Sequence, residues 1–156
     1  MAALDPDTPV GRAVEAFNDH DLDALMAEMA DGHTFVDPLV PSGVSGEKLR
    51  AYTADVFAGF PDVRLDVDRV FEDADGSVAL EGSYSGTHEG PIEGVPATGH
   101  AVAIPTVTVI TVTDDGITAW RDYWNEQAFA EQLGLTFPAI LPKLPGIVAG
   151  KIQDVV

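Results

Sequence analysis

The chain of 156 residues contains no cysteine, which excludes disulfides, a thiolate nucleophile and Cys-based zinc or iron–sulfur sites. Basic residues are scarce: 8 Lys and Arg stand against 26 Asp and Glu, for a net charge of −18. A surface of that sign repels phosphate backbones and anionic lipid, so neither nucleic acid nor a membrane is expected as a partner. Lys48 is the only lysine before Lys143, and an acidic excess of this size fits a halophilic archaeon, whose cytoplasm screens self-repulsion with molar salt. No apolar run approaches the roughly 18 residues that span a bilayer, and the N-terminus lacks a basic segment followed by a long apolar one, so a cytoplasmic protein is expected. Phosphate-cradling glycine loops and a Gly-x-Ser-x-Gly elbow are missing as well. The four histidines, His20, His33, His88 and His100, have no metal-ligand spacing, so neither a metal nor a cofactor is expected.

What is present is a chain with 46% hydrophobic residues, enough for one core and too short for two. One domain is expected over residues 1–135, followed by an apolar, Pro- and Gly-rich tail over 136–156 that packs on the domain or on a partner. Apolar residues recur at helical spacing through Val10, Ala13, Val14 and Phe17, and again from Leu22 to Met29, predicting helices near 9–18 and 21–30. His33 to Pro38 reads as a short strand that stops at proline. Ser45 is placed to cap a third helix through Leu49, Tyr52 and Val56 to Gly59. From Val63 the period changes to two, and Asp73 to Gly76 and Asp114 to Gly116 read as hairpin turns between strands near 63–68, 78–84, 102–113 and 117–124. Gly86 to Gly99 is a loop, and Asn125 or Glu126 begins a last helix ending at Gly134. The tail reads as neither a repeat nor a clean helix.

Period two places Trp120, Asp122 and Trp124 on one strand face, with Ala119, Arg121 and Tyr123 on the other. If the first face lines a cavity, a carboxylate between two indoles is desolvated and its pKa rises toward the range useful for proton transfer. If it faces outward, Asp122 pairs with a cation such as Arg121 or Arg64. Thr108 shares a face with Ile104, Thr106 and Ile110, where it serves either a pocket or simply the strand.

Four short segments in register, Phe35-Val36-Asp37-Pro38, Gly86-Thr87-His88-Glu89-Gly90, Gly94 to Gly99, and Trp120-Arg121-Asp122 leading to Gln132-Leu133-Gly134, resemble the SnoaL-like polyketide cyclases of the nuclear transport factor 2-like superfamily. The resemblance implies an α+β fold: a cone-shaped barrel in which a curved mixed or antiparallel sheet and three N-terminal helices enclose one pocket. It also implies that Asp122 exchanges a proton at carbon next to a carbonyl. Asp37 falls where the family carries a polar pocket residue and would raise the pKa of Asp122 by like-charge repulsion, or else caps the turn after Pro38. His88 falls in the family-like loop, as a proton partner or as a structural hydrogen-bonding group. Asp122, His88 and Asp37 are thus the catalytic candidates, and Phe17, Phe35, Tyr84, Thr108, Trp120 and Trp124 the substrate-binding ones.

The expected function is a cofactor-independent cyclase or isomerase acting on a small apolar carbonyl compound. One alternative is a non-catalytic binding protein of the same fold. Another is a limonene-type epoxide hydrolase, whose last strand also reads Trp-Arg-Asp-Tyr; its additional Arg and Asp are missing from Glu81-Gly82-Ser83-Tyr84. A homodimer is expected through the strand face that carries Val107, Val109 and Tyr123.

Overall fold

A computed structural model describes residues 4–153. Thr8 caps helix α1 (Pro9–Asn18) by accepting from the Gly11 N–H at 3.1 Å, and Pro9 enters the first turn, where its missing N–H costs nothing. Val10, Ala13 and Val14 form the buried stripe of this helix. At its far end the Asn18 amide clips it to the sheet, donating to the Leu65 carbonyl and accepting from the Leu65 N–H at 2.7 Å.

Helix α2 is shorter than its periodicity suggests: Asp21 caps it and it runs only Leu22–Ala27. Strand β1 (Met29–Val36) takes over at Met29 rather than at His33. Met29 continues the helical spacing of Leu22 and Leu25, yet its neighbourhood is claimed by pairing with Ile117, a tertiary contact that overrides local propensity. Helix α3 (Glu47–Gly59) begins at Gly46, whose φ of 55° suits glycine, and Ser45 supplies no side-chain cap.

Strands β2 (Arg64–Glu72), β3 (Ser77–Thr87), β4 (Ala101–Thr113) and β5 (Gly116–Trp124) form an antiparallel meander. β1 joins its edge parallel to β5, which gives the order β1-β5-β4-β3-β2 and makes the sheet mixed. Register shifts in β2 and in the β4–β5 hairpin mark bulges that bend the sheet. Gly82 lies beside the first: a Cβ there would stand 2.0 Å from the Asp66 carbonyl oxygen, so only glycine lets the two strands close at the bend.

Two apolar clusters fill the concave side. One joins α1 to Leu65, Leu80, Ile110, Ile117 and Trp120; the other joins Phe60, Val63, Ile92, Val102, Ile104 and Leu133. Phe17 packs against both. The result is an α+β cone: a curved five-stranded sheet whose open concavity is covered by the helices.

Asn125 caps helix α4 (Glu126–Gln132) by accepting from the Ala128 N–H. The tail contains more regular structure than its prolines and glycines suggest, with a 3-10 turn (Leu141–Lys143) and helix α5 (Leu144–Gln153). Pro145 sits in the first turn of α5, where proline is tolerated. Gly150 brings α5 onto the Gly94 carbonyl, where a Cβ would come within 2.3 Å, so the tail helix rests on the loop that follows β3. No helix among the described residues is long and apolar enough to cross a membrane.

Candidate active site

The concavity holds a cavity of about 120 Å³, lined by side chains from α1, β1, α3 and the inner face of the sheet. Its centre of chemistry is Asp122. Alternation along β5 turns Trp120, Asp122 and Trp124 inward and leaves Arg121 and Tyr123 outside. The Asp122 carboxylate is 5% exposed and accepts three side-chain hydrogen bonds. Thr108 Oγ1 donates to Oδ1 at 2.6 Å, Trp120 Nε1 donates to the same oxygen at 3.0 Å, and Tyr84 Oη donates to Oδ2 at 3.0 Å. Among the described residues no cation pairs with it: Arg64 pairs with Asp66 on the outside, and the Arg121 side chain is exposed.

Burial and the three donors act in opposite directions. Desolvation penalises the charged carboxylate, the donors favour it, and desolvation wins, pushing the Asp122 pKa up to about 7. Asp37 adds a smaller push in the same direction through its negative charge. A carboxyl poised at this value exists in both protonation states near neutrality, as a group that takes a proton and later returns it must. Tyr84 is itself pushed well above the ordinary phenol range, chiefly by burial, and so keeps its proton for the bond to Asp122. Replacing Tyr84 with phenylalanine removes one donor that favours the carboxylate, so Asp122 is expected to titrate above 7 in that variant. Carbon-13 NMR titration of the labelled carboxyl measures this directly, and an unchanged midpoint would show the bond to be immaterial.

Asp37 follows the last residue of β1, and because Val36 pairs with Arg121 in the parallel join, Asp37 and Asp122 arrive at the same end of the sheet. Asp37 both caps the turn after Pro38 and lines the cavity. Its Oδ1 accepts from the N–H groups of Leu39 and Val40 at 2.7 and 3.0 Å, which caps the turn after Pro38. Its Oδ2 accepts from Tyr52 Oη at 2.6 Å, and both residues line the cavity. Tyr52, on α3, is the site residue that the sequence pattern left in the background. Its helical spacing marks it only as one more apolar-face position, and the acceptor it meets lies in another element.

Phe17, Phe35, Tyr84, Trp120 and Trp124 all line the cavity. Two expected site residues do not. Thr108 stands behind Asp122, fully buried, and spends its hydroxyl on that carboxylate instead of facing a ligand. His88 lies outside the cavity wall, behind Phe60, whose ring it stacks on at 5.0 Å. Its Nδ1 accepts from the Thr98 N–H at 3.2 Å, tying the end of β3 to the loop before β4. Burial lowers its pKa, so the ring stays neutral at neutral pH.

No cluster of three or more metal-ligating side chains occurs among the described residues.

The SnoaL-like polyketide cyclase family profile matches residues 8–133. Among solved structures, a protein from Jannaschia sp. CCS1 with a provisional assignment as a SnoaL-like polyketide cyclase is 24% identical, with 85% of this chain and 97% of that chain covered and a TM-score of 0.70. A Xanthomonas campestris protein with a provisional polyketide cyclase assignment is 24% identical over 80% of this chain and 93% of its own, with a TM-score of 0.72. A protein of ketosteroid isomerase-like fold from Catenulispora acidiphila, solved in complex with trimethylamine, is 23% identical over 87% and 97%, with a TM-score of 0.69. No curated protein matches the chain.

Proposed function

Because the chain belongs to the SnoaL-like polyketide cyclase family, we propose that it is a cofactor-independent enzyme in which Asp122 moves a proton at carbon next to the carbonyl of a small, largely apolar compound. The observation that carries this reading is the Asp122 carboxyl itself, buried without a counter-ion among the described residues, which pushes its pKa up to about 7. In its ionised form Asp122 takes the proton, and the electron pair left on carbon delocalises into the carbonyl as an enolate. The proton gained by Oδ2 can then be donated to Tyr84 Oη, which frees the phenol proton to point at the developing oxyanion. The enolate is either reprotonated by Asp122 at another carbon conjugated with it, an isomerisation, or attacks a second carbonyl of the same molecule through its carbon. In the second case a ring closes and protonated Asp122 supplies the alkoxide with its proton.

The experiment is deuterium exchange. Small ketones incubated with the protein in D2O are expected to exchange their carbonyl-adjacent protons at a rate that rises with pH through about 7, as followed by proton NMR. Exchange no faster than in buffer across a panel of cyclic and linear ketones would sink the proposal. The epoxide-hydrolase alternative draws no support from the cavity wall, which carries no arginine. A binding role without turnover is favoured by the dense aromatic lining and by the trimethylamine complex of the Catenulispora relative.

The proposal includes a homodimer in a salt-rich cytoplasm. Tyr123 and Val107, paired across β5 and β4, leave 53% and 41% of their surface exposed on the outer face of the sheet, an apolar pair suited to isologous contact. Tyr123→Glu is expected to convert the dimer to a monomer in sedimentation equilibrium. A wild-type monomer at the same protein concentration and high salt would dismiss the dimer.

A further inference from the structure

The polar groups of the cavity are unusually one-sided. No Lys, Arg or His lines it, while Asp37 and Asp122 both do. These carboxylates are 6% and 5% exposed, and neither takes part in an ion pair among the described residues. Three of the nearby hydroxyl protons are committed: Tyr52 donates to Asp37, Tyr84 to Asp122, and Thr53 to the Leu49 carbonyl. Each phenol has a single proton, so what Tyr52 and Tyr84 retain for a ligand is lone pairs. Hydrogen bonds from Tyr52, Leu39 and Val40 satisfy Asp37 without neutralising it. An anionic ligand would therefore enter a chamber with two carboxylates and no cationic side chain to pair against.

The rest of the wall is mostly apolar, with the rings of Phe17, Phe35, Tyr52, Phe60, Trp124 and Phe129 set among aliphatic side chains. Aromatic faces attract cations through their quadrupole, and most strongly where water is excluded. A primary ammonium gives up a tight hydration shell to enter such a place, whereas an alkylated one is weakly hydrated and presents methyl groups to the rings. The cavity volume of about 120 Å³ is several times the minimum of about 10–15 Å³ that a single water needs. That suits an ammonium head with a short chain.

We propose that the cavity binds an alkylated ammonium compound, its charge held by the Asp37–Tyr52 pair and the aromatic wall. This gives the charge class of the ligand for the site proposed above, and rests on that reading only in taking the cavity as the ligand site. The probes are choline and its uncharged carbon isostere 3,3-dimethylbutan-1-ol, titrated by calorimetry into the wild type and Asp37→Asn at about pH 8, above the Asp122 midpoint of about 7. Choline is expected to bind about tenfold more tightly than the isostere, the size of one desolvated cation–π and charge contact. In Asp37→Asn that preference is expected to shrink to about threefold or less.

Equal or weaker binding of choline overturns the inference, as does an undiminished preference in Asp37→Asn or failure of both probes to bind. Tighter binding of ethanolamine than of choline overturns the alkylated class. If Asp37→Asn does not fold, the comparison of the two isosteres on the wild type decides alone. Because these readouts involve no turnover, a failed deuterium exchange leaves them standing, and their failure leaves the carbon-acid chemistry of Asp122 open to its own assay.

Discussion

Asp122→Asn is expected to lower kcat/KM for exchange or cyclisation by roughly 10²–10⁴, the usual contribution of a positioned general acid–base group. Asparagine keeps the size of the side chain and accepts from Thr108 and Trp120 through its carbonyl oxygen, so the cavity stays intact while the exchangeable proton disappears. The wild type should show a tenfold rise per pH unit below about 7 and a plateau above it, because the ionised form is the base. The variant should be slow and flat. Single-turnover exchange followed by NMR measures both, and an Asp122→Asn variant within about threefold of wild type would end the claim that this carboxyl does the chemistry.

The same substitution is expected to stabilise the protein at neutral and alkaline pH. The folded-state pKa of Asp122 is raised from 3.8 to about 7, so between these values the folded chain holds a proton that the unfolded chain has released. Stability from this group is thus fully present below 3.8 and falls as pH rises to about 7, by about 4 kcal/mol at 1.36 kcal/mol per unit. Asparagine does not titrate and escapes that loss. In thermal melts near pH 8 the variant should lie above the wild type by as much as about 10 °C for a chain of this size. The gap should narrow as pH is lowered toward 5. A variant that melts below the wild type at every pH would mean that the three donors, and not desolvation, set the energy of this carboxylate.

Local pattern carried the inner face of β5 well, since alternation alone groups Trp120, Asp122 and Trp124, and hairpin turns are written in Asp-Gly pairs. It did not reveal why Thr108 meets Asp122. Near the turn, Val112 pairs with Ile117, but one strand gains a residue before Thr111 pairs with Ala119. Without that bulge Asp122 would stand opposite Val107 instead of Thr108. Bulges obey tertiary packing and leave no mark in the periodicity. The early start of β1 was hidden for a related reason: Met29 satisfies a helical stripe equally well, and its strand partner lies far along the chain. His88 and Tyr52 exchanged importance because reactivity by residue type says nothing about which side of Phe60 a ring occupies, or about the carboxylate that a phenol meets from another element.

The parallel join between β1 and β5 also bears on how the protein acquires its activity. The meander from β2 to β5 can zip by pairing neighbours, at low loop-closure cost. β1 must be recruited from before α3 onto the last strand, so it makes the sheet's most distant contact. Asp37 and Tyr52 meet Asp122 only when that closure is complete. A partly folded chain therefore has most of its sheet, with Asp122 and its three donors on it, but a cavity still open and lacking Asp37 and Tyr52, and ligand capture during refolding would serve as a clock for the final step.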